Sequence, residues 1–232
     1  MYGKLGDMDK DYMCEIVIKE ILIPSLQDLY WIDYENIINE VSERNICARL
    51  SLHVENRMRG YDAEKKSCIF TWYYADVEYN RMGKGEKKKY ENSEHRPQYM
   101  VSDLLIQSRG YQENLLAVEM KRKGNYRHVE EDKKRLMSLV SSSTSESPSR
   151  CVHDTLVGAF IVYSKDWVKI DIYENINGKG ILTRAIEFEC YDMTQLRWRK
   201  YQRRTSDGLF TQEKTWSLNR TSKKNICSCS NE

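Results

Sequence analysis

Two short apolar runs, 100–108 and 114–121, stand on either side of Arg109-Gly110-Tyr111-Gln112-Glu113. Each is too short for an ordinary core helix, and a turn-prone segment separates them, so the pair reads as strand, turn, strand. A lone hairpin is marginal in water. These runs are apolar on both faces, so the chain must supply further strands beside them and a layer above and below.

The rest of the sequence offers those layers. Residues 9–22 carry Met13, Ile16, Val17 and Ile21 at helical spacing, and Pro24 is expected to interrupt that helix. A longer helix is predicted from Asp33, as N-cap with Glu35 in the first turn, to about Met58 before Gly60. It shows two stripes: Ile37, Val41, Ala48 and Leu52 on one, Cys47, Leu50 and Val54 on the other, which predicts burial on two sides. Residues 68–79 (CIFTWYYADVEY) are aromatic and β-branched and read as a strand. His128–Val140 reads as a helix with Val129, Leu136, Leu139 and Val140 inward. Two more strands, Leu156–Tyr163 and Val168–Tyr173, join around Ser164-Lys165-Asp166. The order is helix, helix, three strands, helix, two strands. One central mixed β-sheet flanked by helices buries all of these runs, an α/β fold.

The 232 residues suit one domain, and the expected organisation follows the texture. Residues 1–32 form a helical extension and 33–200 the domain, with a low-complexity loop at 141–149 (SSSTSESPS). Residues 201–232 form a basic, partly disordered tail. Hydrophobic residues at 40% and charged ones at 31% leave no stretch that would span a membrane as a helix, so no membrane partner is expected. Asp7, Asp9 and Asp11 occupy the place a signal peptide would need apolar. Seven cysteines, an odd number, are scattered as reduced thiols are, and a cytoplasmic protein is the expectation. Cys227/Cys229 and Cys151/His153 lack the spacing of a zinc site, and no Gly-rich phosphate loop is present.

The chemistry concentrates on the hairpin. Side chains alternate along a strand, so Glu119 and Lys121 share one face with Leu115 and Ala117, while Leu116, Val118 and Met120 take the other. Asp103 lies in the preceding strand, and antiparallel neighbours are about 4.8 Å apart, so it can stand beside Glu119. Two carboxylates that close repel unless a cation joins them, and oxygen donors of this kind suit Mg²⁺ or Mn²⁺. Lys121 could orient or deprotonate a water, or balance charge on a phosphate. The bland alternative is an edge-strand ion pair. Glu43 adds a third carboxylate: it continues the inward stripe of Cys47, Leu50 and Val54, where a charge must be paired, desolvated or metal-linked. Its own bland reading is an ion pair with Arg49 or Lys121.

Asp103, then Glu119-Met120-Lys121 on the next strand, behind a helix bearing Glu43, resembles the PD-(D/E)XK nuclease superfamily. The wording around these residues is similar to small bacterial members over about residues 35–173: Glu43-Arg44-Asn45 with Ala48-Arg49-Leu50, Asp76-Val77-Glu78-Tyr79-Asn80-Arg81, and Asn114 to Lys121. The resemblance implies a restriction-endonuclease-like core and metal-dependent hydrolysis of phosphodiester bonds in nucleic acid, DNA ahead of RNA. It implies that Asp103 and Glu119 ligate the metal, Lys121 assists the attacking water and Glu43 supports the site. Ser102 stands where the motif's proline would be. The rival expectation is an inactive nuclease-fold module that binds nucleic acid or a protein partner. A homodimer is compatible with double-strand cutting.

Charge distribution fits a phosphate partner better than the net of +2 suggests. Residues 1–80 hold nine basic and fifteen acidic side chains, whereas residues 195–232 hold nine and three. Arg49, Asn80, Arg81, Lys87, Lys88 and Lys89 are the candidate nucleic-acid contacts, and Trp198, Tyr201 and Trp216 interleave the basic tail.

Overall fold

Nine residues from Asn114 to Arg122 (β7) form a strand whose middle six are all buried, and the architecture follows from covering both its faces. The computed structural model describes residues 9–79, 81–82, 86–87, 89–91, 97–99, 101–108, 113–141, 155–189, 197–199 and 215–217. Lys10–Ile16 (α1), a π-helical turn Val17–Leu22 and Ile23–Ile32 (α2) run as one continuous helix. Tyr34–Ile38 (α3) and Glu43–Lys65 (α4) follow, then Tyr74–Tyr79 (β1). Short strands Arg81–Met82 (β2) with Glu86–Lys87 (β3), and Lys89–Glu91 (β4) with Pro97–Tyr99 (β5), make two small ribbons. After Ser102–Gln107 (β6) and β7 come Val129–Val140 (α5), Thr155–Tyr163 (β8), Trp167–Ile176 (β9) and Lys179–Glu189 (β10). Arg197–Arg199 (β11) pairs with Thr215–Ser217 (β12).

The main sheet has six strands in the order β1-β6-β7-β8-β9-β10. Every pairing is antiparallel except β7 with β8, which are parallel and therefore need the crossover that α5 provides. The expected α/β class with a mixed, helix-flanked sheet is borne out. One face packs Leu104, Ile106, Leu116, Val118, Met120, Val157 and Ile161 against α1, the π turn, α2 and α4. The other packs Leu105, Ala117 and Phe160 against Leu136, Leu139 and Val140 of α5. The helical part of the expected N-terminal extension thus lies in the same core as the sheet.

The structure differs from the sequence reading at five points. Pro24 does not break the first helix. The wide π turn ends just before it, with the Ile23 amide bonded to the Ile18 carbonyl, and that turn takes up the register change a proline imposes. The long helix is split: α3 ends at Ile38, and α4 starts afresh at Ser42, whose hydroxyl accepts from the Asn45 amide, then runs through Gly60 to Lys65. One stripe is buried along its length, with Ile46, Cys47, Leu50, Val54 and Met58 facing the sheet; the other is buried only in its first half, where Ile37 and Val41 reach the core, while Ala48 and Leu52 are exposed. Residues 68–73 are turn and irregular chain rather than strand, so β1 starts at Tyr74. β10 was not expected at all. Its signal is Asn177-Gly178, both at positive φ (52° and 83°), the two-residue turn that suits a twisted hairpin. Of the expected low-complexity loop only Ser141 is among the described residues, and of the tail only Thr215–Ser217.

Glycines test this packing. A Cβ on Gly180 would stand 2.1 Å from the Met137 carbonyl oxygen of α5, whereas one on Gly60 would meet nothing within 4 Å. Gly180→Ala is expected to destabilise the protein by about 1–3 kcal/mol through overpacking against backbone. Gly60→Ala should instead stabilise it by about 0.5–1 kcal/mol through helix propensity. Urea unfolding midpoints of the two variants check both signs.

Candidate functional site

Pairing between β6 and β7 runs from Ile106↔Leu116 to Leu104↔Val118 and stops there. At the next step the Asp103 carboxylate takes over from the backbone: its Oδ2 accepts the Met120 amide at 2.7 Å. The two strands therefore part with one acidic side chain holding the gap. Across β1 the register passes from Val77↔Leu104 to Tyr79↔Ser102, leaving Glu78 between them at φ 50°, outside strand geometry. Its carboxylate turns to Arg44 at 2.7 Å, and Asp76 accepts from Gln107 at 3.0 Å.

Glu119 and Lys121 point to the α5 side, as alternation from Ala117 requires. Glu119 is 1% exposed, and its Oε1 accepts from Arg135 Nε at 2.9 Å. Arg135 also grips Asp132 one turn earlier on α5, and Asp132 Oδ2 lies 3.0 Å from Lys121 Nζ. An alternating chain results, Glu119–Arg135–Asp132–Lys121, with Asp103 next to it. Because β7 is interior, the alternative of an edge-strand ion pair does not describe Glu119.

The electrostatics follow from this placement. Burial, then the Asp103 charge, pushes the Glu119 carboxyl well above the ordinary carboxylate range, against the opposing pull of Arg135. Burial also raises Asp103, although the Met120 amide and Lys121 favour its ionised form. Burial by itself would lower Lys121, but the Asp132 carboxylate outweighs it, with Asp103 and Glu43 adding, and the net shift is upward. Three carboxylates and two cations share the cluster, and two of those carboxylates are held uphill.

Glu43 is placed differently from Asp103 and Glu119. At the first position of α4 its Oε1 accepts from the Arg122 amide at 2.9 Å and from Asn125 Nδ2 at 2.8 Å. It pins the end of β7 instead of joining the other two carboxylates. Arg49 also stays apart: on α4, across the sheet from the cluster, it holds Asp33 at 2.8 Å, and the same carboxylate takes His53 Nε2 at 2.6 Å. His53 is 3% exposed, so this contact lies inside the fold. The Cys47 thiol, pushed up by burial and by the Asp103 and Glu119 charges, donates to the Asp103 carbonyl at 3.1 Å and so braces the strand from behind. Arg81, Lys87 and Lys89 lie on the short ribbons, where only backbone is described; Asn80 and Lys88, and the cysteine pairs weighed for zinc, fall outside the described residues.

Two members of the cluster, Asp132 and Arg135, escaped the sequence reading. The signal was present, since Asp132 lies four before Leu136 and seven before Leu139, on the buried stripe of α5. It is the same argument that singled out Glu43.

Among the described residues no three His, Cys, Asp or Glu side chains converge as a metal-binding set. Compared with protein-family models, with curated proteins and with solved structures, the chain finds no match.

Removing one partner of a buried pair strands the other. Arg135→Met is expected to cost about 3 kcal/mol, and combining it with Glu119→Gln should return at least half of that, read as a double-mutant cycle of urea midpoints. A raised carboxyl pKa also fixes a pH trend. Protonated Glu119 favours the fold below its ordinary unfolded value, and that contribution is lost as pH climbs through its elevated folded value. With divalent cations chelated, the unfolding midpoint should fall from pH 5 to pH 8, and Glu119→Gln should flatten that fall.

Proposed function

We propose that the protein is a divalent-metal-dependent nuclease hydrolysing phosphodiester bonds in nucleic acid, DNA ahead of RNA, on a restriction-endonuclease-like core. The observation that supports this is the parting of β6 and β7 at Asp103, with Glu119 and Lys121 on the adjoining strand. Burial raises Asp103 and holds Glu119 well above the ordinary carboxylate range, beside a lysine that remains charged. The donor chemistry fits Mg²⁺ or Mn²⁺: hard oxygen ligands, two of them in an electrostatic setting that a cation would relieve. Asp103 and Glu119 are the residues that would hold it. Bound there, the ion would supply a water of lowered pKa and a polarised phosphate.

The chain's own groups narrow the remaining roles. Lys121, tied to Asp132 and raised in pKa, keeps its proton, so it serves by placing positive charge beside a phosphate oxygen and not as a base. Glu43 acts as a positioning residue by fixing the Arg122 amide at the end of the strand.

A second reading is favoured by a specific observation. Arg135 already occupies one Glu119 oxygen, and Asp132 already holds Lys121, as in an inactive nuclease-fold module that binds nucleic acid or a protein partner without turnover.

Incubation with Mg²⁺ or Mn²⁺ and duplex DNA, single-stranded DNA or RNA separates the two. Cleavage is expected for at least one substrate, with Glu119→Gln and Lys121→Ala each lowering the rate about 100-fold or more. Cleavage surviving both substitutions would overturn the site. Failure of the wild-type protein to bind Mn²⁺ by calorimetry would select the module.

A further inference from the structure

The strand that carries Glu119 and Lys121 leads into Arg122-Lys123-Gly124-Asn125-Tyr126-Arg127-His128. From Lys121 onward these eight residues hold four cations and no acid. The segment is a built turn. Its Arg122 and Asn125 are fastened by Glu43, the Lys123 amide bonds the Tyr163 carbonyl at 2.8 Å, and the Asn125 amide bonds the Arg122 carbonyl at 2.9 Å. Gly124 supplies the reversal at φ 91°, where a side chain would be strained.

On this framed turn Tyr126 is 76% exposed, more than any other large hydrophobic side chain among the described residues. A solitary exposed tyrosine is ordinary. The cations beside it have other company or none: Arg122 reaches Glu40 at 3.2 Å, and Lys123 lies over the Trp167 ring at 5.2 Å. Among the described residues, no acidic side chain pairs with Lys123 or Arg127. The neighbouring start of α5 does not compete for phosphate, because Glu130, Glu131 and Asp132 make that helix end acidic. Positive charge and an exposed aromatic ring thus share one short segment at the end of the strand of the candidate site.

We infer that the 122–128 turn is a binding surface for a nucleic-acid strand with unpaired bases, a base stacking on Tyr126 while Lys123 and Arg127 meet flanking phosphates. The inference rests on the nuclease reading only for what happens next to the bound strand. A duplex keeps its base faces stacked on one another and offers the ring nothing to stack on, so the chemistry selects single-stranded or locally opened substrate.

Fluorescence anisotropy with a labelled 12-nucleotide DNA, the same sequence as RNA, and the DNA as duplex tests this, with EDTA present so that only binding is read. Tyr126→Ala is expected to weaken binding of the unpaired strands about tenfold and of the duplex less than twofold, with Tyr126→Trp restoring it. Lys123→Gln and Arg127→Gln should each flatten the dependence of log K on log salt by about 0.7. Equal losses on duplex and single strand, unchanged single-strand affinity in Tyr126→Ala, or no single-strand binding by the wild type would each overturn the surface. With Mg²⁺ added the two conclusions come apart. If the wild type cleaves and Tyr126→Ala leaves its preference between unpaired and duplex substrates unchanged, the surface fails and the nuclease stands. If Tyr126-dependent binding occurs without cleavage, the surface stands and the hydrolytic reading fails.

Discussion

The bond from the Met120 amide to the Asp103 carboxylate is the constraint on which the rest of the site depends. An interior strand cannot leave an amide unpaired without a cost of about 1–3 kcal/mol. Where β6 stops pairing, something must accept that hydrogen, and Asp103 does so from its side chain. A local separation of two strands is thereby made stable, and the gap it leaves is lined by the next residues on β7, Glu119 and Lys121. A neutral or longer side chain at 103 would pair less well or restore the ladder and close the gap. The positive φ of Glu78 in the strand on the other side belongs to the same irregularity, since it lets β1 keep step with β6 past Asp103.

The second consequence is electrostatic. Opening the sheet on its α5 face brings carboxylates into a region that α5 would otherwise cover with leucines. α5 meets this with polar groups in its first half, Asp132 and Arg135, and apolar ones in its second, Leu136, Leu139 and Val140. The crossover helix that the parallel β7/β8 pair requires therefore also carries the counter-charges for β7. Topology and charge balance are met by one element, which is why substitutions in α5 are expected to be felt at the site as strongly as those in the strands.

Much of this was legible in the residues. Period-two alternation from Ala117 assigned Glu119 and Lys121 to one face, and the short apolar runs located β6, β7, β8 and β9 to within a few residues, because burial on two faces leaves an unmistakable apolar block. β10 was missed because it is half-exposed and its residues, such as Thr183, Arg184 and Glu187, read as polar surface; only the Asn177-Gly178 turn announced it. Pro24 misled because its cost is avoided by a non-local choice, a π turn, that no residue spells out. The partnership of Asp132 and Arg135 with the strand was half legible: their place on the buried stripe of α5 was readable, but which charge each would meet depends on the crossover's register against β7. Glu43 was correctly marked as needing a partner. That its Oε1 is held by the Arg122 amide and the Asn125 side chain follows from where α4 begins, which Ser42 sets, because the helix that starts after Asp33 ends at Ile38.

Whether such a cluster is merely structural can be argued from its balance. A network that serves only to fill a buried polar region gains most when each charge is matched, as at Asp33, where Arg49 and His53 converge on one carboxylate. Around Glu119 the matching is incomplete: Asp103, Glu119 and Asp132 face Arg135 and Lys121. Burial raises both carboxylates at the strand parting, with Asp103 itself among the causes at Glu119, while the lysine is secured in its charged form. Asp103 alone completes the Met120 bond, and what Glu119 gives the fold is its contact with Arg135. Burial and the Asp103 charge disfavour its ionised form while Arg135 favours it, so part of the cost of its burial is left unmet by the fold, and a proton or a cation would each offset it.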